Sequence, residues 1–128
     1  MNFTKEQMKA IEFFEGPLLI TAAPGAGKTQ VFACRIAYLI RVHNVQPDNI
    51  LALTYTTNAA KEMRSRLATL VGSEVAERVT MLTFHSFAIR SLKRYLPHKY
   101  ADKKITPEWF RTRVLYDIAG EKTKNNVD

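Results

Sequence analysis

Apolar residues recur along this chain with two different periods, and the switch between them lays out its elements. Residues 4–15 (TKEQMKAIEFFE) place Met8, Ile11 and Phe13 or Phe14 at helical spacing, and Thr4 followed three residues on by Gln7 makes a capping-box pattern at the start. Gly16-Pro17 ends that helix. Residues 18–22 (LLITA) are a short unbroken apolar run, the pattern of a strand covered on both faces in a parallel sheet. Residues 30–41 (QVFACRIAYLIR) return to helical spacing, and Pro47 breaks it. The cycle then repeats. Residues 50–54 (ILALT) predict a second buried strand, and 58–71 (NAAKEMRSRLATLV) an amphipathic helix closed by Gly72 as C-cap. Residues 79–83 (VTMLT) predict a third strand, followed by a helix over 84–95 (FHSFAIRSLKRY). Strands alternating with helices predict an α/β fold, a parallel sheet flanked by helices and joined by right-handed crossovers.

Past Pro97 the pattern changes. Residues 97–106 are polar and basic, 107–119 (PEWFRTRVLYDIA) predict a helix with Pro107 near its first turn, and the last residues, EKTKNNVD, are polar and uncapped. The predicted division is therefore an α/β part over residues 1–96 and a helical segment over 97–128, with no internal repeat.

Composition narrows the classes. The length of 128 residues suits one domain, and 46% hydrophobic with 24% charged residues is globular rather than disordered. Lys and Arg number 19 against 12 Asp and Glu, a net charge of +7. That excess favours a polyanionic partner. Nucleic acid comes before a membrane, because no basic amphipathic stretch carries the bulky apolar face that membrane binding needs. The single cysteine, Cys34, rules out an intrachain disulfide, suits a reducing compartment, and sits in a predicted helix as a small apolar side chain rather than a nucleophile. No stretch has the length of a membrane span and the N-terminus lacks a secretory pattern, so the expected location is cytoplasmic.

The chemistry concentrates between the first predicted strand and its helix. Ala22-Ala23-Pro24-Gly25-Ala26-Gly27-Lys28-Thr29 matches the P-loop pattern of Gly, four residues, then Gly-Lys-Ser/Thr, with Ala in the first glycine position. Gly25 and Gly27 allow backbone torsions that other residues resist, so that successive N–H groups can point at phosphate oxygens. The helix that starts near Gly27 adds the partial positive charge of its N-terminus. Lys28 can reach terminal phosphates and the Thr29 hydroxyl can ligate Mg²⁺, which makes these two the candidate catalytic residues. A plain glycine-rich surface turn would need neither Gly-Lys-Thr in that order nor a buried strand before it. The loop implies a bound nucleotide without saying what the nucleotide is used for.

Four blocks, in order and at matching spacing, resemble the UvrD/PcrA/Rep group of superfamily-one DNA helicases. They are Phe3-Thr4-Lys5-Glu6-Gln7, the loop Ala22 to Thr29, the segment Ile50 to Arg64 with its Thr54-Tyr55-Thr56-Thr57-Asn58 core, and Thr83-Phe84-His85-Ser86-Phe87. The likeness covers roughly residues 3–95 and is far more specific than the loop alone. It implies a RecA-like P-loop NTPase fold, ATP and Mg²⁺ as cofactors, and single-stranded DNA and duplex junctions as partners.

Each block also carries its own chemistry. The amide of Gln7 offers both a donor and an acceptor, as an adenine edge requires, although from the sequence alone a helix cap is the favoured explanation. The resemblance assigns it to adenine, hence ATP rather than GTP. Thr54 to Thr57 end a strand and open a helix, where hydroxyls and N–H groups can meet phosphates, and Tyr55 offers a ring for base stacking. A hydroxyl-rich N-cap beside a core tyrosine is the alternative. Phe84 and His85 stand at another strand end, where α/β sheets gather ligands. The resemblance implies that Tyr55, Thr56, Thr57, Asn58, Phe84 and His85 face single-stranded DNA, and that Arg66 lies near the ATP phosphates. Lys61 is read as a solvated side chain. The basic run between Arg90 and Arg113 suits either a DNA-contacting surface of an inserted helical subdomain or a solvated one. Two positions depart from the family: Gln30 stands where an Arg usually packs on the adenine, and Asn58 where a Lys is common.

What is missing bears on mechanism. ATP hydrolysis needs a carboxylate on Mg²⁺, a residue to position water and an arginine for developing charge. No apolar run here ends in Asp-Glu. Val114-Leu115-Tyr116-Asp117 comes nearest, but helical spacing through Trp109, Phe110, Val114 and Ile118 marks an amphipathic helix. The chain therefore resembles the N-terminal portion of a longer helicase, the truncated first RecA-like domain followed by the start of the inserted subdomain. Its expected partner is a second RecA-like domain, and alone it should turn ATP over slowly or not at all. The whole enzyme would travel 3′ to 5′ on single-stranded DNA, unwind duplex, and serve repair or replication. Two other readings stay open: a small P-loop kinase, and a non-catalytic nucleic-acid-binding module with a vestigial loop.

Overall fold

A computed structural model describes residues 2–104. The chain divides into two compact units, Met1–Arg90 and Ser91–Asp128. The helix expected over 107–119 lies outside the described residues.

The first helix, α1 (Lys5–Glu12), opens as its sequence predicts. The Thr4 hydroxyl accepts from the Gln7 N–H at 3.2 Å while Gln7 Oε1 accepts from the Thr4 N–H at 2.9 Å, so two orphan donors of the first turn are satisfied reciprocally. It stops short of Gly16. Phe13 already has extended backbone (φ −61°, ψ 120°), and its N–H closes the last turn on the Lys9 carbonyl at 3.0 Å. The second helix, α2 (Lys28–Arg41), starts from Gly27 in the left-handed region (φ 76°, ψ 18°). A 3₁₀ turn over Pro47–Asn49 leads to β1 (Leu51–Thr54). Then comes α3 (Thr57–Val71), whose N-cap Thr56 accepts from the Ala59 N–H at 3.1 Å. Gly72 (φ 89°) ends α3, where a side chain would be strained, and leads straight into α4 (Ser73–Arg78), a helix the hydrophobic pattern does not announce. β2 (Thr80–Thr83) and α5 (Phe84–Tyr95) follow, and α6 (Pro97–Tyr100) is a single turn at the start of the polar, basic stretch past Leu96.

β1 and β2 pair in parallel, Leu51 opposite Thr80 through Thr54 opposite Thr83, with α3 and α4 as the crossover. The expected parallel pairing is present, in a sheet of two strands among the described residues. Burial alternates along both strands. Ala52, Thr54, Met81 and Thr83 face the interior while Leu51 stays exposed, so the strand over 50–54 is covered on one face, not two. Helices pack on that one face, and an apolar run becomes fully buried only where both faces are covered.

The first predicted strand, over 18–22, does not form among the described residues. Leu18 to Ala22 run without regular secondary structure, and Leu19 is 87% exposed. A strand exists only through a ladder partner, and no described segment pairs with this one.

Two apolar clusters hold the first unit. The larger joins Ile36 and Ala37 of α2, Met63 and Leu67 of α3, Ala76 and Val79 around α4, and Ala52 and Met81 of the sheet. Leu67, Ala76 and Val79 are fully buried. The smaller joins Ala10 and Ile11 of α1 to Val31 of α2. Arg64 ties α3 to α4 by donating to the Ala76 carbonyl at 2.7 Å and facing Glu77 at 3.4 Å. Arg78 of α4 donates to both sides of one Asp48 carboxylate oxygen, through Nε at 3.0 Å and through Nη2.

Candidate functional site

The loop between Ala22 and Lys28 has the torsions its glycines suggest. Gly25 and Gly27 have φ of 78° and 76°, and the Ala26 N–H returns to the Ala23 carbonyl at 3.2 Å in a tight turn. A Cβ on Gly25 would meet nothing within 4 Å, so there the requirement is torsional. At Gly27 it is torsional as well, since a Cβ there would stand 3.7 Å from Gln7 Nε2, an ordinary van der Waals contact.

Two side chains converge on this loop from opposite sides of it in sequence. Lys28 folds back so that Nζ donates to the Ala22 carbonyl at 2.8 Å and the Ala23 carbonyl at 2.6 Å. Gln7 reaches across 19 positions of chain to donate from Nε2 to the Ala26 carbonyl at 3.2 Å. Gln7 therefore caps α1 through its oxygen, as the capping-box pattern predicts, while its nitrogen touches the loop. Thr4, Gln7, Ala22, Ala26 and Lys28 line one cleft of about 290 Å³, together with Glu6, Ala10, Ile20, Thr21 and Val31. The walls are mostly apolar with a few polar groups, the usual make-up of a small-molecule site. Glu6 is the acidic residue there. A backbone N–H hydrogen bond at its own position, and then the Thr4 hydroxyl, hold its carboxyl below the usual carboxylate value.

Thr29 is half-buried in the first turn of α2, one residue past Lys28. Pro24 and Ala23 are exposed on the loop. Gln30 and Arg66 stand elsewhere, lining a second cavity of about 180 Å³ with Ala33, Cys34, Thr69 and Leu70. Arg66 is engaged within α3, donating to Glu62 through Nη2 at 2.6 Å and Nε at 3.1 Å. Cys34 lies in a helix, α2, as expected, only partly buried against Ala10, Ile11 and Val31, and burial pushes its thiol above the usual value.

The two strand ends form a separate group. Their register sets Thr54 beside Thr83, both buried. Thr54 donates to the Thr56 carbonyl at 2.9 Å, and Thr83 accepts from the Ser86 N–H at 3.1 Å while donating to the Ser86 hydroxyl at 2.9 Å. These bonds turn each chain sharply from strand to helix. The residue after each threonine is consequently thrown outward: Tyr55 is 84% and Phe84 57% exposed. Tyr55 is thus not a core ring. Thr56, Thr57, Asn58 and His85 are exposed on the same two strand-to-helix turns.

One residue in the site's support escaped the sequence reading. Arg35 of α2 donates through Nη1 to the Ala10 carbonyl at 2.8 Å and to the Phe13 carbonyl, and its guanidinium lies 5.7 Å from the centre of the Phe13 ring. A signal was present, because Arg35 follows Val31 by one helical turn on an otherwise apolar stripe.

These features define a mixed helix–strand protein with a glycine-rich loop at a helix N-terminus and a second group of exposed side chains at the ends of paired parallel strands. Comparison with known proteins places it more closely. The family model for the UvrD/REP helicase N-terminal domain matches residues 3–126, and the chain belongs to that family. It is 52% identical over 93 residues to the ATP-dependent DNA helicase PcrA of Staphylococcus epidermidis and 51% identical over 93 residues to that of Staphylococcus aureus. In each case the match takes in 73% of this chain and 13% of the relative, so the chain corresponds to a small part of those helicases. Among the described residues no helix is long and apolar enough to cross a membrane.

Proposed function

We propose that this chain forms half of the ATP site and part of the single-strand track of an ATP-dependent DNA helicase. The observation that carries this reading is the convergence of Gln7 and Lys28 on the carbonyls of Ala22, Ala23 and Ala26 around one cleft. The residues fit the nucleotide. A loop with two glycines at positive φ can turn its N–H groups toward an anion, and the N-terminus of α2 adds its dipole there. Lys28, whose ammonium already reaches the inner carbonyls, would exchange them for phosphate oxygens. Thr29 would hold Mg²⁺, which supplies charge neutralisation when bound. Ala22, Ala23, Pro24, Gly25, Ala26 and Gly27 would form the cradle, and Gln7 would read the adenine edge from the cleft wall. Gln30 and Arg66 belong to this proposal only through their family positions.

The exposed rings of Tyr55 and Phe84, with Thr56, Thr57, Asn58 and His85, would take single-stranded DNA: rings for bases, hydroxyls and helix N-termini for phosphates. In the whole enzyme a second RecA-like domain would complete the site, and closing over ATP would drive 3′-to-5′ travel and unwinding. Titration calorimetry of the chain with Mg²⁺ and ATP tests the first half. Binding is expected in the wild type, and absence of heat with an intact fold would remove the proposal. For the second half, log affinity for single-stranded DNA should fall linearly with log salt, with a slope of about −0.7 per phosphate contact, and a flat line would exclude such contacts.

A further inference from the structure

We infer that Arg35 is a positioning residue that sets where Gln7 stands relative to the glycine-rich loop. Gln7 has one fixed point on the loop, the 3.2 Å bond to the Ala26 carbonyl. Everything else about its position follows from α1, a helix of eight residues. A helix that short has little stability of its own and takes its place from what grips it. Its apolar grip is modest: Ala10 and Ile11 against Val31, with Phe3, Cys34 and Tyr38 partly buried around them.

The polar grip comes from Arg35. Because the backbone leaves the helix at Phe13, the Ala10 carbonyl has no N–H four residues ahead in helical geometry to receive. Arg35 Nη1 supplies a donor at 2.8 Å, and the same nitrogen serves the Phe13 carbonyl just past the helix end. A cation at a helix C-terminus is also favoured by the helix dipole. The Phe13 ring lies 5.7 Å from that guanidinium, and the next residue, Phe14, stacks on His43 at 3.8 Å between ring centres, nearly parallel at 2°. α1 is therefore held to α2 at its C-terminal end by Arg35 and at its N-terminal end by Gln7 on the loop that starts α2. Loss of the first hold lets the helix pivot about the second. The acceptor and donor of Gln7 then lose their fixed aim into the cleft, while the loop and Lys28, which Arg35 does not touch, keep theirs.

The test compares wild type, Arg35→Lys and Arg35→Ala as the full 128-residue chain. Without ligand, Arg35→Ala should speed amide hydrogen exchange over residues 8–13 by about tenfold or more, the scale of a charged hydrogen bond, with α3 and the paired strands unchanged. Arg35→Lys, which can still donate to the Ala10 carbonyl, should restore part of the protection. Unchanged exchange over residues 8–13, or an equal rise in α3 and the strands, would overturn the inference. A second measurement rests on the nucleotide reading above: the ratio of affinities for ATP and for inorganic tripolyphosphate. Arg35→Ala should collapse that ratio and leave tripolyphosphate affinity within about twofold. An unchanged ratio, or an equal loss for both ligands, would count against positioning. Should the wild type itself fail to prefer ATP, the nucleotide reading falls, while the exchange result still decides the role of Arg35.

Discussion

The two halves of the first unit are held together by different physics. From Pro47 to Thr83 the chain is built on apolar burial, with Leu67, Ala76 and Val79 sealed between α3, α4 and the sheet. From Phe3 to Lys28 only Ala10 and Ile11 are buried, against Val31 of α2, and much of the geometry comes from single hydrogen bonds: Thr4 with Gln7, Gln7 with Ala26, Lys28 with Ala22 and Ala23, and Arg35 of α2 with Ala10 and Phe13. Burial is non-directional and tolerates small shifts. A hydrogen bond is directional and can be exchanged for another of equal quality. The first half therefore suits a scaffold, and the second suits a site whose carbonyl partners can be traded for a ligand's oxygens.

That contrast can be broken at several points. The largest effect should come from Leu67→Ala, which deletes a fully buried side chain and should destabilise the unit by about 2–5 kcal/mol in urea unfolding. A smaller loss would mean that the scaffold is less tightly packed than it looks. Lys28→Ala should do the opposite, leaving the unfolding midpoint in place because the side chain is exposed. ATP affinity in calorimetry should drop about tenfold to a hundredfold, the worth of charge-assisted hydrogen bonds. If stability fell and affinity did not, the loop lysine would be part of the scaffold.

Gln7→Glu sharpens the comparison further. The carboxylate can still accept from the Thr4 N–H, so α1 should keep its stability within about 0.5 kcal/mol, but it cannot donate to the Ala26 carbonyl. Preference for ATP over tripolyphosphate should disappear without loss of helix content by circular dichroism. Loss of helix instead would make Gln7 a cap and nothing more.

The smallest effect belongs to the exposed Asp48–Arg78 pair. The hydrogen bond from Arg78, and then its charge, hold the Asp48 carboxyl below its ordinary value of 3.8. A carboxyl lowered by folding stabilises above the unfolded value and loses that contribution as pH falls through the folded one. The stability gap between wild type and Asp48→Asn should accordingly be present at neutral pH and close on acidification below about pH 3.8. A gap that stayed open in acid would show that the pair contributes by packing.

Much of the site was legible in the chain because its parts are local. Gly25 and Gly27 needed positive φ, Thr4 and Gln7 needed only each other, and Thr56 needed only the N–H of Ala59. The cleft linings Glu6, Ile20 and Thr21 carried no such local mark. The exposure of Tyr55 was also beyond a reading of pattern, since a tyrosine at a strand end serves a core equally well.

The sequence by itself determined the capped start of α1, the torsions of Gly25 and Gly27 and the alternation of β1, α3, β2 and α5, because each depends on residues a few positions apart. Only the tertiary structure decided that Leu18 to Ala22 find no ladder partner among the described residues, that the paired strands are covered on one face, and that Arg35 closes the end of a helix 22 to 25 positions earlier in the chain. Those outcomes turn on which distant segments meet. Meeting is set by the burial and geometry of the whole unit, and no window of the chain contains it.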